Sequence, residues 1–251
     1  MSGHSKWHSI KHQKGAADAA RGKRFAQLAR QIEVAARSGG GDPDANPTLR
    51  TMIQKGRDAS MPKENIERAI KRGTGELEGV HYESVSYEGY APNGVAVIAE
   101  CLTDNRNRTT SEVKNIFTRS GGSLAEPGAV AWQFDRKGQI VVPRSVDEEE
   151  LMLAALDGGA EDIVDDGDSW RVTTPPTELH AVRTALEGAG IGVESSDLTM
   201  VPQTTIPLDT AEGAKRVLRL IDALDEHDDV QAVHANFDIP DTILETVEAA
   251  P

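Results

Sequence analysis

The stretch Gln139-Ile-Val-Val-Pro-Arg-Ser-Val-Asp-Glu-Glu-Glu-Leu-Met-Leu-Ala-Ala-Leu-Asp157 decides the fold. Gln139 to Val142 is a short run rich in β-branched residues and reads as a strand. Val146 to Asp157 reads as a helix whose first turn carries Asp147 to Glu150, where negative charge favours the helix dipole. Two further strands follow, near Asp162 to Val164 and Trp170 to Thr173, separated by the turn Asp165-Asp-Gly-Asp168. A helix at Thr177 to Ala189 and a strand near Val193 complete the series. The order is βαββαβ, the arrangement of a ferredoxin-like unit.

Upstream of this unit, Ser84 to Glu88 and Gly94 to Leu102 read as strands joined by Gly89-Tyr-Ala-Pro-Asn-Gly94. Arg108 to Ser120 is a helix, and Ala129 to Phe134 reads as a further strand. Downstream, Thr210 to Leu224 is a helix, and Val230 to Phe237 alternates apolar and polar positions as a strand does. The upstream set lacks one helix and one strand until the closing segment supplies them, which implies nesting. The expected fold class is α+β with three domains, an N-terminal helical region and two α/β domains, one inserted in the other. Their expected bounds are 1–79, then 80–134 with 210–251 as a discontinuous domain, and 135–209 as the inserted ferredoxin-like domain.

The N-terminal region opens with an arm, Met1 to Ile10, that has no long apolar pattern. Helix formers run from about Asp18 to Ser38 and stop at Gly39-Gly-Gly-Asp-Pro43. At about 100° per residue, Phe25, Ala29, Ile32 and Ala36 share one face, while Lys23, Arg30 and Arg37 form a basic stripe roughly opposite. A second helix, Asn46 to Ala59, has Leu49, Met52 and Ile53 as its apolar face. A third starts at Pro62, the favoured first helical position, and buries Ile66, Ala69 and Ile70. Its Lys63, Arg68, Lys71 and Arg72 then face solvent.

The formal net charge of −14 hides a strong polarity. Met1 to Gly79 holds 15 Lys and Arg against 9 Asp and Glu, a net of +6, leaving 12 against 32, a net of −20, for the rest. A basic element for an anionic partner, carried on a body that repels nonspecific contact with it, fits this distribution. The stretch Gly3-His-Ser-Lys-Trp-His-Ser-Ile-Lys-His-Gln-Lys14 adds an aromatic ring suited to stacking between lysines suited to phosphate.

Other chemistries find little support. His4, His8 and His12 recur every four residues, yet Lys6, Lys11 and Lys14 raise the local positive potential and no nearby carboxylate completes a metal site. Gly73-Thr-Gly-Glu-Leu-Glu-Gly79 follows a helix and lacks the spacing of a dinucleotide loop. Asp165 to Asp168 lacks the ligand spacing of a calcium loop. Cys101 is the single cysteine, which excludes an intramolecular disulfide and a cysteine zinc cage, and it reads as a small core residue. No serine elbow, phosphate loop or acid/base constellation is present. No stretch approaches the roughly 18 to 20 apolar residues of a membrane span, and the N-terminus lacks a signal-peptide core, so a cytoplasmic protein is expected.

The motifs Gly3-His-Ser-Lys-Trp7, Asn46-Pro-Thr-Leu-Arg50, Met61-Pro-Lys-Glu-Asn-Ile66, Gly73-Thr-Gly75, Tyr87-Glu-Gly-Tyr-Ala-Pro-Asn-Gly-Val95 and Leu102-Thr-Asp-Asn-Arg-Asn-Arg-Thr109 together resemble the YebC family of probable transcriptional regulators. Its mitochondrial relatives include the translational activator of cytochrome c oxidase. The resemblance implies three domains, no catalysis, no cofactor and no small-molecule substrate. It implies a nucleic-acid partner with two alternatives, DNA for a transcriptional regulator or ribosomal RNA for a translation factor that helps synthesis through proline-rich or other stalling sequences. This chain departs from the usual pattern at Ser123-Leu-Ala-Glu-Pro127, which adds an acid and a proline after a Gly-Gly turn. The residues expected to contact nucleic acid are His4, Lys6, Trp7, Lys11 and Lys14 in the arm; Arg21, Lys23, Arg24, Arg30 and Arg37 on the first helix; Lys63 on the third; and Arg106 and Arg108 in the last motif.

Overall fold

The structure, a computed structural model, describes residues 17–249. In chain order it contains α1 (Ala17–Gly39), α2 (Pro47–Asp58), α3 (Lys63–Gly73), β1 (Glu83–Tyr90), β2 (Ala96–Thr103), α4 (Arg106–Arg119), β3 (Ser123–Leu124), β4 (Phe134–Pro143), α5 (Glu148–Asp157), β5 (Asp162–Asp165), β6 (Ser169–Thr174), α6 (Leu179–Gly188), β7 (Ser195–Pro202), β8 (Ile206–Pro207), α7 (Ala211–Asp225), β9 (Val230–Ala235), β10 (Phe237–Asp238) and α8 (Asp241–Ala249). The fold is α+β. Two compact units divide it, one comprising residues through Val34, Glu78–Asp135 and Pro202 onward, the other Ala35–Leu77 with Arg136–Val201.

In the first unit the sheet order is β3-β1-β2-β9. β1 and β2 are antiparallel from Glu83 opposite Thr103 to Tyr90 opposite Ala96. Their connection turns at Asn93 and Gly94, both left-handed with φ of 65° and 77°, which is why an Asn-Gly pair stands there. α4 and α7 supply Val113, Phe117, Val217, Leu220 and Ile221 to a core shared with Val97, Ala99 and Val233 of the sheet. Gly89 is required for this packing, because a Cβ would lie 2.6 Å from both the Phe117 ring and the Ser123 carbonyl oxygen. The buried Asn236 joins three segments: its Oδ1 accepts from the Ala96 N–H at 2.7 Å, its Nδ2 donates to Gln133 Oε1 at 3.1 Å, and its carbonyl accepts from the Ile206 N–H at 2.7 Å. The Gln203 N–H also donates to the Gln133 carbonyl at 2.8 Å, so the chain leaves this unit and returns to it at neighbouring points.

In the second unit the sheet order β5-β6-β4-β7, with β4–β6 and β5–β6 antiparallel, is that of a ferredoxin-like βαββαβ unit. Ile140, Val142, Leu151, Val172, Val182 and Leu186 fill its core. Helices α2 and α3 pack with Gly56 at their contact, where a Cβ would meet Ile66 at 3.3 Å. The buried Asn46 caps α2 by accepting from the Leu49 N–H at 3.0 Å, and its Nδ2 donates to the Ala35 and Gly40 carbonyls, both at 2.9 Å. This explains why the Asn46-Pro pair begins the helix. The pair of helices is latched to the α/β part by Arg183, whose guanidinium takes Asp58 at 2.8 and 3.2 Å and also reaches Glu187 and Ser196. Lys55 forms an ion pair with Asp197 beside it.

Three expectations change. Pro62 is not the first residue of α3 but its cap, with a non-helical ψ of 138°, and the helix begins at Lys63. The segment Ala129 to Phe134 is not a strand: Ala131–Gln133 is a short 3-10 turn, and β4 begins at Phe134. The backbone donors there are taken by the Glu88 carboxylate rather than by a neighbouring strand. The strand expected near Val193 begins two residues later at Ser195, and a closing helix, α8, follows β10. Cys101 is buried in β2, and burial, with Asp229 and Glu100 adding negative charge, pushes its thiol up to about 12, so it stays protonated core. Among the described residues no helix is long and apolar enough to cross a membrane.

Candidate nucleic-acid interface

Helix α3 segregates its residues cleanly. Ile66 and Ala69 are buried, while Lys63, Arg68 and Arg72 are exposed and Lys71 is exposed beside them. Arg57, at the end of α2, is exposed as well. The Lys63 ammonium lies 3.6 Å from Glu67 in an exposed pair that constrains it weakly. Only Lys63 of these belongs to the expected contact set; the helical spacing marks Arg68, Lys71 and Arg72 as solvent-facing and nothing more. Lys71 and Arg72 also sit in the last turn, where cations complement the helix dipole.

The basic side of α1 behaves differently along its length. Arg21 and Arg24 are exposed or nearly so, and Arg37 is half-buried. Lys23 and Arg30 turn back onto the protein: Lys23 Nζ donates to the Asp225 carbonyl at 2.6 Å, Gln27 Nε2 to the Val230 carbonyl at 2.7 Å, and Arg30 Nη1 to the Asp228 carbonyl at 2.5 Å. Asp225 ends α7, so the Lys23 ammonium satisfies a carbonyl that the helix itself leaves open. Arg30 also lies over the Tyr82 ring, 5.6 Å from its centre. The stripe read from the helical wheel is thus partly a clamp on the acidic turn Asp225 to Asp229. The arm residues His4, Lys6, Trp7, Lys11 and Lys14 lie outside the described residues.

The motif Leu102 to Thr109 is built around Asp229. Asn105 caps α4 by accepting from the Arg108 N–H at 3.1 Å, and Thr103 and Thr109 pair hydroxyls at 2.7 Å. Asp229 Oδ2 accepts from Arg108 and from the Thr109 hydroxyl, both at 2.7 Å, with Arg30 at 3.7 Å from Oδ1. Burial alone would raise the Asp229 carboxyl; the Arg108 and Thr109 bonds outweigh it and hold the group below the usual carboxylate range. Arg108 is therefore an internal partner, whereas Arg106 projects to solvent. Asp229→Ala is expected to cost about 2 kcal/mol, less than a fully buried pair because Arg108 keeps 43% of its side chain exposed. Denaturant unfolding at neutral pH checks this value.

A polar cleft of about 500 Å³ opens here, lined by Arg30, Tyr82, Arg108 and the carboxylates of Asp104, Glu112 and Asp228 among others. Glu112, His227 and Asp229 converge within 4.8 Å, close enough to be considered for a metal ion. Their atoms are already committed: His227 Nδ1 accepts from the Asp229 N–H at 3.1 Å, its Nε2 faces Glu112 at 2.9 Å, and Asp229 holds Arg108. The arrangement works as an ion-pair network rather than a cation cage.

The sequence marks the loop after β3 only by its added Glu126 and Pro127, and nothing in it announces the contact that holds the loop. Glu88, only 7% exposed, accepts from the backbone N–H groups of Gly128, Val130 and Ala131 at 2.7, 2.8 and 2.9 Å. Burial would raise this carboxyl, but the three N–H bonds together bring it below its ordinary value. The loop so held presents Trp132 with 69% of its surface exposed, its Nε1 donating to the Ala129 carbonyl at 3.0 Å. A strand over Ala129 to Phe134 would set Trp132 on one face with Val130 and Phe134, yet the structure buries only the outer two.

The chain matches two family models, one described as the TACO1/YebC protein N-terminal domain over residues 5–76 and one as the TACO1/YebC second and third domain over residues 82–237. A relative from Rubrobacter xylanophilus is 58% identical over 249 residues, covering 98% of this chain and 99% of that one. A second, from Mycobacterium sp. strain KMS, is 54% identical over 250 residues, covering 99% and 100%. Both carry the name probable transcriptional regulatory protein. A crystal structure of a conserved hypothetical protein from Aquifex aeolicus superposes with a TM-score of 0.84 at 51% identity, covering 92% of this chain and 96% of that one. With both family models and full-length relatives above half identity in agreement, this chain belongs to the TACO1/YebC family.

Proposed function

We propose that this protein is a non-enzymatic, nucleic-acid-binding regulator of gene expression acting in the cytoplasm, with DNA as its target. The observation that carries this reading is the exposed cationic face of α3, set on a chain whose remainder is strongly acidic. Phosphate contacts by such a face supply affinity, and the acidic body opposes indiscriminate wrapping. The short α3, four residues after α2, carries its cations outward, where the phosphates of a nucleic acid can meet them. The names of the full-length relatives, probable transcriptional regulatory protein, point the same way. Arg21, Arg24 and Arg106 extend the contact set, and the arm residues His4, Lys6, Trp7, Lys11 and Lys14 belong to the proposal on sequence grounds.

A second reading, a ribosomal-RNA-binding translation factor, is favoured by the exposed Trp132, since RNA offers unstacked bases far more readily than duplex DNA. Crosslinking in growing cells followed by sequencing of the attached nucleic acid separates the two. Enrichment of discrete duplex sites supports the DNA reading; enrichment of ribosomal RNA supports the second; recovery of neither removes both. The same proposal keeps three domains, 1–79, 80–134 with 210–251, and 135–209, the last nested in the second. The bonding of Gln133 to Gln203, close to where the chain rejoins the first unit at Pro202, supports the nesting.

A further inference from the structure

We propose that Trp132 is a stacking platform for an unpaired base; the inference rests on the nucleic-acid-binding reading above and adds a contact made by a different part of the molecule from the cationic helix. Solvent-exposed tryptophan is unusual when the ring is held still, because a rigid exposed ring keeps its apolar face in water without the entropy of a mobile one. Here the ring is held. The buried Glu88 carboxylate fixes the backbone on the approach to it, at Gly128, Val130 and Ala131. Val130 is fully buried and Phe134 nearly so, which anchors the loop two residues before and two after the ring. The Tyr90 hydroxyl donates to the Ala129 carbonyl at 3.3 Å, the acceptor that also takes the indole N–H.

That last bond selects the ligand. With its only donor satisfied inside the loop, Trp132 offers a partner nothing but its π faces and edges, so recognition must proceed by stacking without hydrogen-bond readout. Stacking of this kind accepts any base and is how single strands are held without sequence preference. The surroundings argue against a protein partner. A protein-binding hot spot sits inside a broad apolar patch, whereas Trp132 is flanked by Ala131, Gln133 and the exposed Glu126, Pro127 and Gly128, with no second large exposed apolar side chain in its loop. One ring without an apolar surround suits one flat, solvent-bordered base. Glu88 acts as a positioning residue, setting the angle at which the ring is offered.

The test measures binding of the full-length protein to oligo(U), to oligo(dT) and to a blunt duplex of the same length at one salt concentration. Trp132→Ala should weaken single-strand binding by about five- to hundredfold, with Trp132→Phe retaining most of the affinity and duplex binding unchanged in both. A loss with oligo(U) alone assigns the base to RNA, and a loss with oligo(dT) alone assigns it to DNA. Quenching of indole emission by oligonucleotide in the intact protein, diminished in Trp132→Phe, reads the same contact without relying on the alanine variant. Single-strand affinity unchanged in Trp132→Ala overturns the stacking role while leaving the wider reading in place, as does a wild-type protein that binds duplex but neither oligonucleotide. A wild-type protein that binds none of the three overturns both.

Discussion

Glu88→Ala is expected to lower the stability of the first unit by about 3 kcal/mol or more, a larger loss than that expected of Asp229→Ala. Three backbone donors converge on this carboxylate, and each one left unsatisfied in a poorly solvated place costs about 1 to 3 kcal/mol, less whatever is recovered as the loop opens to water. Glu88→Gln retains an acceptor but substitutes a neutral amide for a charge aimed at by three N–H dipoles, so an intermediate loss is expected. The pH dependence has a definite sign. Because the folded carboxyl lies below its ordinary value of 4.5, its contribution is complete above that value and disappears as pH falls through the lower folded value. The stability gap between wild type and Glu88→Gln, measured by urea unfolding, should therefore hold constant from neutral pH down to about 5 and shrink at more acid pH. A gap that widens on acidification contradicts the assignment of a charged Glu88.

The ferredoxin-like order was legible because local signals agreed. β-branched runs, an acidic first turn and glycine turns each pointed to the same element, and the observed order β5-β6-β4-β7 follows from them. Asn46 and Pro62 marked the helix starts to within a residue, although Pro62 precedes α3 with an extended ψ of 138° instead of opening it. What was hidden depended on contacts between residues far apart in the chain. The Glu88 carboxylate reaches forty residues forward, and nothing near Ala129 to Phe134 announces that its donors are taken. The expected strand there would place Trp132 on one face with Val130 and Phe134, a core face it does not enter. Lys23 and Arg30 look like a free basic face on a wheel, because the wheel has no knowledge of a turn some 200 residues away. Arg183 and Asp58, separated by 125 residues, are equally silent until the chain is folded.

These hidden contacts also sort the expected site. Lys23, Arg30 and Arg108 serve the acidic turn and Asp229, and their removal should disturb folding before it disturbs binding. Arg106 and the cations of α3 stand exposed, with no comparable internal duty among the described residues. Their replacement should act on binding alone.

The second large effect is therefore expected from replacing Lys63, Arg68, Lys71 and Arg72 together with alanine. All four are solvent-facing and alanine favours helix. The side-chain pair given up is the surface pairing of Lys63 with Glu67, so the fold should survive with a change of about a few tenths of a kcal/mol. Affinity for nucleic acid at physiological salt should fall by at least about tenfold, because every phosphate left without its cation keeps the counterion it would have released. The most direct measurement is the slope of log affinity against log salt concentration for wild type and this variant on the nucleic acid recovered by crosslinking. The expected slope is shallower in the variant by roughly 0.9 for each α3 cation that meets a duplex phosphate, or about 0.7 on a single strand, with thermal unfolding unchanged. Identical slopes for the two proteins would contradict a cationic α3 interface.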